Sequence, residues 1–304
     1  MGGLGNQLFQ IYTTMALSIQ MKTSFRFPLH KMGTDKRCVT YWNTFLKELK
    51  TSASITNIER LQYPLYKEAD FRYNKITISP DLIKSRGGVL LYGYYQSYKY
   101  FENEYEKICK YIKLDKARNE VKDLFHDKYF SGDRKVISMH FRLGDYKSLQ
   151  YCHPILDIKY YIESLKLILK KEQDKAVDVN TETTTQKWLI LYFCEDEDIM
   201  YVETKIKVLK EECAKLYKDI SISIEFERAA SKEGEDKLCD WKELLLMSCC
   251  HHNIIANSSF SWWAGFFNNN PDKEICYPEK WFGPKLSDND IRDLCPPSWN
   301  KIIF

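Results

Sequence analysis

Val136-Ile-Ser-Met-His140-Phe-Arg142-Leu-Gly144-Asp145 is an apolar run of strand length that stops at polar groups, and Asn257-Ser-Ser-Phe-Ser-Trp-Trp263 places polar groups after a second such run. In an open α/β sheet the ligand lies outside the carboxyl ends of the strands. The two stretches together therefore point to a site at one end of a sheet, with a nucleotide as the first expectation for what it handles.

Working outward, the second half of the chain alternates. Strand-like runs at Val136–Phe141, Trp188–Phe193, Ile220–Phe226, Asn253–Ala256 and Glu274–Tyr277 are separated by helical patterns at Ile158–Lys171, Ile199–Tyr217, Lys237–Cys250 and Phe260–Asn269. Such βαβ repetition predicts a parallel sheet with helices on both faces. The polar stretch Asp178–Lys187, with Thr181, Thr183, Thr184 and Thr185, reads as a surface loop.

The first half is less regular. Leu8, Ile11, Tyr12, Met15 and Ile19 recur at helical spacing directly after Gly2-Gly-Leu-Gly5, and Phe25, Phe27 and Leu29 then alternate like a strand. This predicts a smaller α/β domain over 1–133, with the boundary at Ser131-Gly-Asp133 and a Rossmann-like domain over 134–304. A glycine turn that binds phosphate normally follows a strand, so the expectation is that a short strand precedes Met1 or that another segment takes its place.

Length and composition bound the function classes. At 304 residues and 44% hydrophobic, the chain can fill one large core or two ordinary ones. Its 45 basic and 42 acidic residues are interspersed, leaving a net charge of +3 and no basic stripe for nucleic acid. No apolar stretch approaches the ~20 residues that span a bilayer, and no cleavable signal pattern opens the chain. The 10 cysteines are scattered, which reads as free thiols in a reducing, cytoplasmic setting. A membrane-associated or Golgi-lumenal setting stays open should an N-terminal anchor be missing. Cys249-Cys250-His251-His252 lacks a second ligand pair at finger spacing and reads as packing, not a zinc site.

Glycines at 2, 3 and 5 allow close backbone approach to a ligand, and the following helix presents unpaired N–H groups suited to phosphate, with Asn6 and Gln7 as further donors. The spacing matches neither the dinucleotide fingerprint nor a P-loop. Arg142 can grip a diphosphate through two parallel hydrogen bonds and neutralise a departing one, which Lys does less well. His140 leaves the strand on the same side as Arg142. Gly144 permits the turn, and Asp145 can cap it or act as a base. The plain alternative is an Arg142–Asp145 pair that fixes a loop. Asn257, Ser258, Ser259 and Ser261 form an N-cap region with more hydroxyls than capping needs, while Trp262 and Trp263 suit packing. The acceptor motif Asn257-Ser-Ser suits glycosylation only if exposed. In Cys194-Glu-Asp-Glu-Asp198 the acids suit a helix start, with Glu195 or Asp196 as candidate ribose or guanine contacts. His30, His126 and His153 have no motif around them.

At these residues the chain resembles the α-1,2-fucosyltransferase family, glycosyltransferase family 11. The resemblance rests on Gly2-Gly-Leu-Gly-Asn-Gln-Leu-Phe-Gln10, His140-x-Arg142-x-Gly144-Asp145 and Asn257-Ser-Ser-Phe-Ser-Trp-Trp263 in order. Gly93-Tyr-Tyr-Gln-Ser97 with Tyr100-Phe101 resembles a further family segment, and so does Asp240 with Leu245, Met247 and Ser248. It implies an α/β, GT-B-like architecture of two Rossmann-like domains facing a cleft. It also implies GDP-β-L-fucose as donor, a glycan acceptor ending in a galactoside, inversion to an α-1,2 linkage, and no required metal or other cofactor. Carried over residue by residue, Arg142 would grip the donor diphosphate and Asn6 would reach the donor from across the cleft, with Gly3, Gly5 and Gln7 of the glycine turn as further candidate donor contacts. Asn257, Ser258, Ser259 and Ser261 would line the GDP site. Arg142, Asp145 and His140 are the candidate catalytic residues, and Tyr95 and Gln96, in the aromatic stretch Tyr92–Phe101, the candidate acceptor contacts. One departure stands out: where family members commonly carry a second arginine, this chain has Leu143. Either a charge near the diphosphate is lost or the position faces the core.

Two rivals have distinct signatures. A catalytically weak homologue that only binds glycan or nucleotide would hold GDP tightly without transferring fucose. A nicotinamide dehydrogenase would respond in a cofactor absorbance titration, although its dinucleotide fingerprint is missing here.

Overall fold

The computed structural model describes residues 2–29, 40–56, 62–178, 186–218, 222–229 and 238–304. The chain forms two compact units, Met1–Ala117 with Asp288–Pro296, and Arg118–Ser287 with Pro297–Phe304.

In the first unit, α1 (Leu4–Met21) is followed by the parallel pair β1 (Phe27–Pro28) and β2 (Ala53–Ile55). A second parallel pair, β3 (Leu65–Lys67) and β4 (Leu90–Tyr92), flanks α2 (Pro80–Arg86), and α3 (Tyr105–Ile112) follows. The apolar face of α1 buries Leu8, Phe9, Ile11, Tyr12 and Met15, with the Tyr12 ring edge-on to Phe101 at 5.4 Å. Each such aliphatic or aromatic side chain contributes about 1.5–3 kcal/mol on burial. The late segment Asp288–Pro296 joins this unit because Ser97 Oγ donates to the Asp293 carbonyl at 2.6 Å and Lys99 pairs with the Asp293 carboxylate at 2.5 Å.

The sequence placed the boundary at 133, on a glycine turn, whereas the units divide between Ala117 and Arg118. The reason lies on α4 (Leu114–Leu124), where the buried Arg118 guanidinium donates to Ser248 Oγ and to the Ser248 carbonyl, both at 3.2 Å, and to Asn269 Oδ1 at 2.6 Å.

The second unit runs β5 (Lys135–His140), α5 (Ile158–Asp178), β6 (Gln186–Phe193), α6 (Ile199–Leu216), β7 (Ile222–Arg228), α7 (Asp240–Ser248), β8 (His252–Ile254), α8 (Ser259–Phe267), β9 (Ile275–Pro278) and β10 (Asn300–Ile302). These strands form one six-stranded sheet, order β10-β9-β8-β5-β6-β7, with every neighbouring pair parallel. Numbered within the sheet this is 6-5-4-1-2-3, the doubly wound order in which the chain first builds outward on one side and then returns to build on the other. The α/β class with a Rossmann-like parallel sheet is thus as expected. The order reverses between β5 and β8, the two strands whose carboxyl ends carry the second and third motifs.

Alternation along β5 sorts its side chains. Ile137, Met139, Phe141 and Leu143 enter one core with Tyr161, Leu165 and Ile168 of α5 and Val202, Ile206 and Leu209 of α6. Ser138 takes the other face, where the Asn253 amide donates to Ser138 Oγ at 2.7 Å and to the Met247 carbonyl at 2.8 Å. Asn268 closes that network by donating to Asn253 Oδ1 at 2.8 Å, so the buried amides are paired.

The expected strands and helices recur with shifted ends. The loop threonines, Ile220, Lys237 and His30 lie outside the described residues. Among those described, no helix is long and apolar enough to cross a membrane, and the nine described cysteines are free. His251 and His252 accept the Val136 and Glu274 backbone N–H groups at 2.9 and 3.0 Å, which gives these imidazoles a role in closing strand ends.

Candidate functional site

At the carboxyl end of β5 the Phe141 N–H still donates to the Phe193 carbonyl at 2.8 Å, and the chain then turns away. Arg142 pairs with Asp145 at 2.6 Å and lies 3.7 Å from Glu195, with its guanidinium 5.1 Å from the Tyr146 ring centre. The loop-fixing pair read as an alternative is therefore formed in this structure. Leu143 is 2% exposed and packs in the α5–α6 core, so the position that departs from the family pattern faces inward. Gly144 adopts φ +42°, a left-handed value that favours glycine.

His140 is 6% exposed, with Nδ1 buried and without a hydrogen-bond partner among the described residues, and its ring lies 5.8 Å from Phe260. Burial, reinforced by the Arg142 charge, pushes this imidazole down to about 3. It is neutral at physiological pH and a poor proton acceptor.

Beside it, the turn after β8 opens α8. Ser258 Oγ caps the helix by accepting the Phe260 N–H at 3.3 Å, and Ser261 Oγ accepts the Ala256 N–H at 3.2 Å. Capping thus uses the Ser258 hydroxyl and Ser261 ties back to the segment before the helix, while Ser259 opens the helix and is half-buried. The Asn257 amide donates to the Pro154 and Trp281 carbonyls at 2.9 and 3.2 Å. At 1% exposure Asn257 is out of reach for glycosylation, and its buried Oδ1 has no partner among the described residues. Trp262 and Trp263 are fully buried packing residues, Trp262 stacking on Phe266 at 4.7 Å.

Sequence reasoning missed two residues that join these loops. Tyr146 lies against the Arg142 guanidinium and donates from its hydroxyl to the Asn257 carbonyl at 3.0 Å, linking the second and third motifs. Asp198 accepts the Gly144 N–H at 2.8 Å and pairs with Lys147. Its position in an acidic run disguised it as a helix-start charge. Asp196, in the same run, pairs with Arg228.

In the first unit, Gly2 has φ +76°, and a Cβ there would fall 2.4 Å from Asn6 Nδ2. Gly3 stands just before α1 without a side-chain cap, and a Cβ on it would meet nothing within 4 Å. Gly5 is buried, and Gln7 Nε2 donates to the Gly2 carbonyl at 3.1 Å. Gln96 Nε2 donates to Asn6 Oδ1 at 2.8 Å, which joins the first motif to the aromatic segment. Tyr95 is 2% exposed, edge-on to Tyr100 at 5.4 Å, with its hydroxyl donating to the Tyr66 carbonyl. Packing has taken this ring, so the acceptor contact expected of it is not offered here. Tyr92 and Tyr94 are the exposed rings of that stretch.

Comparison with known proteins bears on this arrangement. The chain is 25% identical over 230 residues to an α-1,2-colitosyltransferase of Escherichia coli, covering 66% of this chain and 74% of that protein. A solved structure of an Arabidopsis thaliana FUT1 mutant in complex with GDP aligns over 99% of this chain and 74% of that one, at 11% identity and a TM-score of 0.48. The sequence model of Glycosyl transferase family 11 matches residues 197–300, a span that runs from the acidic segment through the third motif to β10. With that match over residues 197–300, and with the three motifs in order along the chain, the protein resembles glycosyltransferase family 11, and the comparisons support a glycosyltransferase.

Proposed function

We propose that this glycosyltransferase moves L-fucose from GDP-β-L-fucose to a galactoside hydroxyl, with inversion, in α-1,2 linkage. The observation that carries the reading is Arg142 standing at the carboxyl end of β5, where the sheet order reverses next to β8 and its serine-rich turn. A nucleoside diphosphate suits this place, because a guanidinium, a helix start and N–H groups converge where negative charge would lie. The family resemblance supports the sugar, and the relative named for α-1,2 transfer supports the linkage.

In the reaction, the acceptor hydroxyl oxygen bonds to the anomeric carbon as the bond from that carbon to the diphosphate oxygen breaks. GDP leaves with the bonding electrons, and the hydroxyl proton passes to a base, through an oxocarbenium-like transition state of the kind used by inverting glycosidases. Arg142 neutralises the leaving diphosphate. Asp145, released when the diphosphate takes the guanidinium, is the proposed base. Neutral His140 supplies a hydrogen-bonding imidazole, not a charge. Asn257, Ser258, Ser259 and Ser261 are proposed to line the donor site, and Gly3, Gly5, Asn6 and Gln7 to contact the donor. No metal is invoked, since Asp196 and Asp198 are each already engaged by a cationic side chain. A cytoplasmic setting fits the free cysteines.

One observation favours a second donor. The E. coli relative is named for colitose, which is L-fucose without its 3-hydroxyl, so a colitosyl donor is the alternative sugar. The test is transfer from GDP-fucose and GDP-colitose to a galactoside with chelator present, using wild type and Arg142→Ala. Fucose transfer that falls on the order of 100-fold in the variant is expected. Undiminished transfer in the variant overturns the role of Arg142, and exclusive use of GDP-colitose replaces the donor.

A further inference from the structure

Residues 144–154 follow Arg142 out of β5 and fold onto themselves. The stretch opens as a 3₁₀ turn over Gly144–Ser148, where Ser148 Oγ donates to the Asp145 carbonyl at 2.9 Å. It then closes a second turn, with the Cys152 and His153 N–H groups both donating to the Leu149 carbonyl at 2.8 Å. Other segments of the same unit clamp it from outside. The Gly283 and Lys285 N–H groups donate to the Cys152 and Tyr151 carbonyls at 2.8 and 3.0 Å, and the Asn257 amide holds the Pro154 carbonyl at 2.9 Å. A Cβ on Gly283 would fall 2.5 Å from the Tyr151 carbonyl oxygen, so glycine is what lets the two backbones approach this closely.

The backbone of this segment is thus fixed, yet the apolar side chains at its tip stand in solvent: Tyr151 is 67% exposed and Leu149 42%. A single exposed apolar residue needs no explanation. Two of them on a clamped turn do, because a ligand that covers them gains apolar burial without the entropic cost of ordering a loop. Tyrosine suits a sugar in particular, since its ring offers a flat apolar face while its hydroxyl still hydrogen-bonds.

Asp145 ties this tip to the reaction. Tyr151 lies six residues beyond it in one continuous segment, a reach of at most roughly 20 Å even if fully extended. The two turns shorten that reach. A glycan with its reacting hydroxyl at Asp145 therefore meets the tip within the length of a short oligosaccharide.

We infer that Tyr151, with Leu149 beside it, is an acceptor subsite that stacks on a sugar preceding the galactoside, so that the enzyme selects oligosaccharide acceptors over a single galactoside. This rests on the acceptor and the base proposed above.

The experiment compares kcat/KM for β-galactosyl disaccharides with kcat/KM for methyl β-galactoside, at saturating GDP-fucose, in wild type, Tyr151→Ser and Tyr151→Phe. Wild type should prefer a disaccharide. Tyr151→Ser should lower the disaccharide-to-monosaccharide ratio about tenfold, the scale of one ring face covered by ligand. Tyr151→Phe should keep the ratio, because the ring face and not the hydroxyl makes the stack. The position is exposed, so both variants should unfold at the wild-type urea midpoint. An unchanged ratio in Tyr151→Ser, or equal losses on both kinds of acceptor, overturns the inference and leaves the proposed transfer standing. An unchanged ratio with an altered sedimentation coefficient also overturns it, and makes the tip a contact between copies of this chain. A wild type that transfers to no galactoside overturns the acceptor reading and the inference with it, an outcome seen before any variant is compared.

Discussion

The carboxylate of Asp198, fully buried ahead of α6, accepts the N–H of Gly144 at 2.8 Å, so the end of β6 determines the turn that follows the arginine strand. Asp198→Ala leaves that N–H without its acceptor and should cost about 1–3 kcal/mol in urea unfolding. Asp198→Asn keeps an accepting oxygen and should cost less. Equal losses in the two would assign the effect to the Lys147 ion pair and not to the hydrogen bond.

Leu143 occupies the position where the family pattern commonly has arginine, and its side chain is in the α5–α6 core. Restoring the pattern with Leu143→Arg should therefore not strengthen donor binding. It should destabilise the second unit by about 3 kcal/mol or more, since it buries a charge without a partner. A variant with wild-type unfolding and a lower donor KM would show that the position can turn toward ligand.

Much of this was legible in advance because β5 and β8 are short apolar runs with polar ends, and parallel strands buried on both faces read as continuous hydrophobic segments. The parallel sheet with helices on both faces followed from the alternation, whereas its strand order and the reversal between β5 and β8 did not. What could not be read were features set by tertiary pairing. β10, Asn300–Ile302, has no run of its own and exists because it pairs with β9. Tyr146 and Asp198 act through contacts with Asn257 and Gly144, far along the chain, so neither leaves a local pattern. Tyr95 carried a motif position but was claimed by packing against Tyr100. The division at Ala117 depends on Arg118 reaching Ser248 and Asn269, which no composition shift announces.

The glycine turn separates folding from binding. Gly2→Ala places a Cβ 2.4 Å from Asn6 Nδ2 at a left-handed φ, and Gly3→Ala meets nothing within 4 Å. Gly3→Ala should leave the thermal midpoint unchanged and raise the donor KM several-fold, because the added methyl stands where a ligand would approach. Gly2→Ala should raise the KM as well and also lose about 1 kcal/mol of stability. A Gly3→Ala enzyme with unaltered donor KM would remove this turn from the donor site.

His140 supplies a pH dependence with a definite sign. Its imidazole titrates near 3 when folded, against an ordinary value of 6.5, so between those limits the unfolded chain binds the proton that the folded one refuses. The contribution to stability is complete above pH 6.5 and is lost as pH falls toward 3, with a slope of at most about 1.4 kcal/mol per pH unit for this group. His252, pushed down to about 4 chiefly by burial, adds a slope of the same sign over a narrower range. Replacing His140 by Gln removes the first contribution and leaves the second. Urea unfolding of wild type at pH 7, 6 and 5 should therefore show stability falling faster than in His140→Gln. Parallel curves for the two proteins would mean that the His140 imidazole is already protonated in the folded state, and its reading as a neutral hydrogen-bonding group beside Arg142 would be wrong.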